Sequence, residues 1–111
     1  MSTISTHILD TALGKPAADV AILLEKSTAQ GWSTYARGVT DGDGRLKDLT
    51  PEPIAPGHYR LTAAIGDYFR VTGRDALYVS AQIDFVIAAS GSHYHLPFLI
   101  SPWSWSTYRG S

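Results

Sequence analysis

The period-two alternation near the end of the chain restricts this sequence more than any other feature. Tyr94, Leu96, Phe98 and Ile100 fall on one face of an extended strand, and His93, His95, Pro97 and Leu99 on the other. Ser101-Pro102 breaks the run, because proline has no N–H to give a ladder and its fixed φ suits a turn. A second alternation sets Trp103, Trp105 and Thr107 against Ser104, Ser106 and Tyr108. Together the runs predict a β-hairpin with one apolar face and a second face bearing His95, Ser106 and Tyr108. An imidazole, hydroxyls and a phenol on one strand face are costly to bury without partners. They suit a polar pocket.

Upstream, the same period recurs. Ile4, Thr6 and Ile8 oppose Ser5, His7 and Leu9 in a first strand, and the segment from Asp10 to Pro16 reads as a connection. The apolar run from Asp19 to Lys26 has strand length and turn residues at its flanks, and Trp32 to Arg37 alternates again after Gln30-Gly31. His58 to Ile65 and Leu77 to Ala88 give two more strands, and Gly66 to Gly73 has room for one or two helical turns. Pro51, Pro53 and Pro56 interrupt regular structure before them. Seven to eight short strands and one short helix make the fold class all-β, most simply a two-sheet sandwich. At 111 residues the chain reads as one domain, residues 1–111, with no internal repeat.

Composition excludes several functions. A net charge of −1 without a basic block gives no electrostatic case for nucleic acid or an anionic membrane surface. With no cysteine there are no disulfides, no thiolate chemistry and no cysteine-based zinc sites. No apolar stretch reaches the roughly 18 residues of a membrane helix, and the first residues do not read as a signal peptide, so the cytoplasm is the expected compartment. Asp41-Gly42-Asp43-Gly44 is a turn cluster, with Glu52 twelfth in the count from Asp41. A calcium loop needs glycine where Leu46 stands, and Arg45 is cationic where a ligand belongs. His7 and His95 as a metal pair lack a third ligand, so no metal is expected.

Three blocks carry a resemblance: Ser5-Thr6-His7-Ile8-Leu9-Asp10-Thr11-Ala12-Leu13-Gly14-Lys15-Pro16-Ala17, Asp43-Gly44-Arg45-Leu46, and His93-Tyr94-His95-Leu96-Pro97 running on to Tyr108-Arg109-Gly110-Ser111. In these the chain resembles the 5-hydroxyisourate hydrolases, the transthyretin-related enzymes of urate breakdown, over essentially its whole length. The terminal tetrapeptide separates these enzymes from transthyretin, the hormone carrier of the same fold. Trp103-Ser104-Trp105 departs from the family's usual residues there, and altered packing on the core side is the expected consequence.

The resemblance implies a transthyretin-like sandwich of two four-stranded sheets, assembled as a homotetramer (a dimer of dimers) with active sites in a channel between dimers and no cofactor. It implies hydrolysis of a cyclic amide, with His7, Arg45 and His95 catalytic and Tyr108 and Ser111 joining them in substrate binding. The chemistry fits the residue types. Ring opening needs an activated water, oxyanion stabilisation and a proton for the leaving nitrogen. Histidine titrates in the right range, and arginine offers a planar fork to a carbonyl-rich heterocycle. His7 and His95 both lie opposite apolar strand faces and so point away from the core. The Ser111 carboxylate is expected within reach of Arg45 or a histidine. His93 shares the parity of His95 and is expected in a supporting or exposed role. The competing reading is a non-catalytic carrier of an aromatic molecule in the same channel, which has no need of His7, Arg45 and His95.

Overall fold

The alternating segments become strands, and their apolar faces meet. The computed structural model describes residues 1–111. In chain order it contains β1 (Thr3–Asp10), β2 (Lys15–Pro16), β3 (Ala21–Thr28), β4 (Gly31–Val39), β5 (Arg45–Leu46) and β6 (Gly57–Ala63). The helix α1 (Ile65–Val71) follows, then β7 (Ala81–Ile87), β8 (His93–Ser101) and β9 (Ser104–Thr107). One sheet runs β2-β1-β8-β9 with β5 also paired to β1; the other runs β4-β3-β6-β7. Between them lies a single apolar cluster. Ile4 and Ile8 of β1 and Tyr94, Leu96, Phe98 and Ile100 of β8 meet Ile22 and Leu24 of β3 and Tyr59 and Leu61 of β6. Each such side chain, fully buried, contributes about 1.5–3 kcal/mol.

The strand pair that positions the site is parallel. β1 and β8 are in register from Thr3↔His93 to Asp10↔Ile100. Parallel neighbours need a long crossover, and here the whole second sheet lies within it. Residues from the two ends of the chain thereby become lateral neighbours.

At the far end of β1, Asp10 is buried and ties three segments together. Its Oδ1 accepts from the amides of Ala12 and Leu13, both at 3.1 Å. Its Oδ2 accepts from Tyr68 Oη at 2.8 Å and from Arg74 Nη2 at 2.6 Å. Burial works to raise the Asp10 carboxyl, but the hydrogen bonds from Arg74, Tyr68 and Leu13 and the charge of Arg74 outweigh it, and the net shift is downward. The α1 helix and the loop after it are thus fixed to the first sheet by a charged pair.

The structure corrects several expectations. There are nine strands, in sheets of five and four, where seven to eight in two sheets of four were expected. β2 and β5 are two-residue strands, too short to show an alternation. Lys15 and Pro16, read as a connection, pair with Asp10 and Leu9. The strand expected from Leu77 begins at Ala81, because Leu77 donates to the Pro102 carbonyl and Val79 accepts from Gly66 instead of joining a ladder. Trp103 is not core-facing: it sits in the β8–β9 turn and is 64% exposed. Only Trp105 packs inward, its ring centroid 5.9 Å from that of Phe98.

Asp10→Ala removes the partner of a largely buried guanidinium and should cost about 3–5 kcal/mol in chemical unfolding. The carboxylate's folded pKa lies below its unfolded value, so its contribution is present above the unfolded pKa and is lost as pH falls. Wild-type stability should therefore drop below about pH 4, and the Asp10→Ala variant should lack that part of the slope.

Candidate active site

Three strands of the first sheet place the polar groups on the face turned away from the core. His7 pairs with Arg45 across β1 and β5, and Ser5 pairs with His95 across β1 and β8. Directly paired residues share a sheet face, as do residues two apart. Ser5, His7, Arg45, His93 and His95 consequently project together. The turn before β5 is built to bring Arg45 there. Asp41 Oδ1 accepts from the amides of Asp43 and Arg45 at 2.9 and 3.0 Å, so this carboxylate closes a turn. Gly44 adopts φ +73°, and a Cβ there would lie 2.5 Å from the Ile8 carbonyl oxygen. Only glycine permits both the backbone angle and the approach.

His7 donates through Nε2 to the Asp43 carbonyl at 2.9 Å. A carbonyl can only accept, so this bond fixes the proton on Nε2 and leaves Nδ1 with its lone pair when the ring is neutral. Arg45 is exposed and belongs to none of the four ion pairs of the structure, so its fork is free for a ligand.

His95 is half-buried and held on two sides. Ser5 Oγ lies 2.8 Å from its Nδ1 and also 2.8 Å from His93 Nε2, while His93 Nδ1 lies 2.7 Å from Thr3 Oγ1. Gly110 donates to the His95 carbonyl at 2.7 Å. A Cβ at Gly110 would come within 2.7 Å of His95 Cδ2, so the tail lies flat against the imidazole. Burial, then the positive charge of Arg45, His7 and His93, lowers the His95 pKa below the usual histidine value. Both causes favour its neutral form.

Of the five sequence-predicted site residues, the structure gathers His7, Arg45 and His95. Tyr108 lies past the end of β9 and is 55% exposed. Ser111 is exposed and enters none of the ion pairs, so the expected contact of its carboxylate with Arg45 or a histidine is not formed. The Gly110–His95 bridge explains this, since it runs the tail along β8 and leaves its last residue in solvent. Arg109 turns the other way and lies over the Tyr94 ring at 4.1 Å. Sequence reasoning missed Ser5 and the close contact of Gly110. Ser5 shares the parity of His7, a signal that becomes informative only once β1 is known to neighbour β8.

No group of three or more His, Asp or Glu side chains converges as a metal centre would require. Two concavities of the protomer, about 540 and 470 Å³, lie beside α1 and on the outer face of β3, β4 and β6. Neither touches the histidines. In the single chain the candidate site is an open sheet face.

Residues 4–110 match the HIUase/Transthyretin family. The chain belongs to that family. A relative from Caulobacter vibrioides, named 5-hydroxyisourate hydrolase, is 42% identical over 115 residues that cover both chains completely. The solved 5-hydroxyisourate hydrolase of Klebsiella pneumoniae superposes with a TM-score of 0.90 and 47% identity, covering 100% of this chain and 94% of that one. Sea bream transthyretin, solved in complex with thyroxine, gives the same TM-score of 0.90 at 33% identity, covering 96% and 93%. The family fold therefore hosts both an enzyme and a hormone-binding protein. Backbone likeness does not separate them.

Gly110→Ala places a methyl group against the His95 ring. It should displace the imidazole and leave global stability within about 0.5 kcal/mol, as for most surface positions. Misplacing a reacting group by an ångström can cost about a hundredfold in rate, and turnover of 5-hydroxyisourate by this variant should fall by up to that factor. Thermal unfolding and ultraviolet kinetics on the same preparation check both halves.

Proposed function

We propose that this chain, as a single catalytic domain, hydrolyses 5-hydroxyisourate to 2-oxo-4-hydroxy-4-carboxy-5-ureidoimidazoline in urate degradation. The observation that carries the reading is the gathering of His7, Arg45 and His95 on one solvent-facing sheet face, in a chain aligned end to end with relatives named for that reaction. A carrier of an aromatic molecule has no use for two imidazoles and a free guanidinium brought together in this way.

In this reading the work is divided among them. His7, with its proton held on Nε2 by Asp43, presents Nδ1 as the base that takes a proton from water. Arg45 remains charged and holds the substrate oxygens as negative charge develops on them. His95 has no protein partner at Nε2 and gives the leaving ring nitrogen its proton there. Tyr108 and Ser111 are assigned to substrate binding alongside them. The proposal assigns no cofactor, since the side chains supply the proton transfers and the charge stabilisation.

The open face calls for a second copy of the chain. β7 and β9 are outer strands of their sheets, each with one edge unpaired, and unpaired edges invite pairing. We infer a homotetramer, a dimer of dimers in which two site faces enclose a channel around the substrate. The proposed compartment is the cytoplasm, to be checked by fractionating the cells that make the protein. Light scattering at micromolar concentration should give four times the 12.0 kDa chain mass. A monomer would overturn both the assembly and the enclosed channel.

The activity itself is tested by generating 5-hydroxyisourate with urate oxidase and following its ultraviolet decay. Wild-type protein should accelerate the decay. His7→Ala and His95→Ala should fold normally and lose about a hundredfold or more in kcat. Arg45→Lys should also be slow, because the charge stays but the fork is lost. Because the His95 pKa is shifted downward, its neutral form should persist below pH 6.5, and the contribution of that group to activity should be lost only below that point. Undiminished rates in both histidine variants would overturn the catalytic assignment.

A further inference from the structure

Four side chains from the two ends of the sequence form one unbroken hydrogen-bonded line on the site face: Thr3, His93, Ser5 and His95. The contacts are 2.7 Å from Thr3 Oγ1 to His93 Nδ1, 2.8 Å from His93 Nε2 to Ser5 Oγ, and 2.8 Å from Ser5 Oγ to His95 Nδ1. Every ring nitrogen in the line except His95 Nε2 has a partner. Ser5 sits at the centre with 9% exposure, whereas His93 is exposed. The line therefore runs from the candidate site to solvent.

A hydroxyl has one proton to donate, so Ser5 can donate to only one of its two imidazoles. Two polarities then run head to tail through the whole line when both rings are neutral. In one, Thr3 donates to His93 Nδ1, His93 Nε2–H donates to Ser5, and Ser5 donates to His95 Nδ1. His95 then carries its proton on Nε2, toward the site. In the other every bond is reversed, His95 carries its proton on Nδ1, and Nε2 is a bare lone pair. The polarity of the line sets the tautomer of His95.

We propose that Ser5 and His93 are positioning residues that act as a proton relay to His95, letting it work as a neutral acid at the leaving nitrogen. This rests on the catalytic reading of His95 given above. In the step, His95 Nε2–H passes its proton to the departing ring nitrogen as the C–N bond breaks. Simultaneously the Ser5 hydroxyl proton moves to His95 Nδ1, the His93 Nε2 proton moves to Ser5 Oγ, and the Thr3 hydroxyl proton moves to His93 Nδ1. Water at the outer end replaces the proton on Thr3, and the hydroxide it leaves in solvent is neutralised by the proton that His7 took from the attacking water. One proton enters at the exposed end, one leaves at the site, and all four residues stay neutral. When Nε2 next accepts a proton, from water in the site, the line runs back and resets.

The charges around His95 give the relay its purpose. Burial and the permanent charge of Arg45 on β5 disfavour an imidazolium there, and His7 on β1 and His93 on β8 also face it. A histidine that stays neutral can donate from Nε2 without becoming an anion only if Nδ1 is protonated in the same event. Ser5 is the one group placed to do so.

The test combines kinetics with the tautomer of His95, read from long-range nitrogen–proton NMR correlations of the imidazoles. Ser5→Ala should fold, being smaller than serine, and should show mixed His95 tautomers. Its kcat should fall by about a hundredfold, near the low end of what acid–base groups contribute, with KM changed less than about twofold. Ser5→Thr keeps the hydroxyl and should recover most of the rate. His93→Gln, at an exposed position, keeps a hydrogen bond to Ser5 but cannot relay, and should resemble Ser5→Ala. Rates in mixtures of light and heavy water should curve with deuterium fraction in the wild type and become linear in both relay-deficient variants. Wild-type kcat and isotope curvature in Ser5→Ala and His93→Gln overturn the relay. If those variants behave as wild type while His95→Ala is inactive, only the relay fails; if His95→Ala is itself fully active, the catalytic reading fails with it.

Discussion

The parallel pairing of β1 with β8 is the constraint on which the rest depends. Its register sets Ser5 beside His95 and Thr3 beside His93, and carries His7 to the same face as both. A slip by one residue would turn every side chain of one strand to the opposite face. Ile4 and Ile8 would then leave the core, and His7 would enter it. The apolar faces therefore enforce the register, because each core residue displaced to water forfeits about 1.5–3 kcal/mol. The site inherits its precision from that penalty. Its own polar contacts, worth about 0.5–1.5 kcal/mol each, could not impose the register alone.

The second sheet and α1 act on the site at a distance. Asp10 ends β1, and its carboxylate gathers the Ala12–Leu13 turn, Tyr68 and Arg74. Arg74 also lies over the Phe69 ring at 4.9 Å, so the guanidinium is held by charge on one side and by an aromatic face on another. A charged pair of this kind is no guarantee of net stability, since desolvation opposes it. Its directional bonds do fix how the helix and its loop meet the end of β1. At the other end of the same strand no charged side chain is buried: Thr3 and Ser5 are bound to histidines, and His7 to a carbonyl. One strand thus has a rigid end and an end whose protons can move.

Much of this was legible in the sequence, for physical reasons that also mark its limits. The alternation in Tyr94–Ile100 reports burial directly, and all four apolar positions of that face are in the core. Gly44 beside Arg45 signalled a turn, and the turn exists. Two-residue strands such as β2 and β5 carry no period, so pairing with β1 decides them and local pattern cannot. Trp103 was misplaced because parity extended through Ser101-Pro102 counts residues across a turn, where it has no meaning. Ser5 escaped notice because a serine on a strand is ordinary until its neighbour is known. The Ser111 carboxylate was expected within reach of Arg45 or a histidine on chain position alone, whereas the backbone bond from Gly110 to His95 sets the direction of the tail.

The open face sets the terms on which these groups can do chemistry. Exposed to water, Arg45 would stabilise a developing oxyanion weakly, because unit charges 4 Å apart interact by only about 1 kcal/mol at the dielectric constant of bulk water. At an effective dielectric near 20 the same geometry gives about 4 kcal/mol. Covering the face with a second copy would make that change without moving a side chain of this one. It would also desolvate His95 further and press its pKa lower still, in the direction in which burial already acts. Enclosure thus strengthens the arginine and weakens any acid that must first become charged. A neutral acid recharged through Ser5 is the arrangement that gains from the first effect without losing to the second.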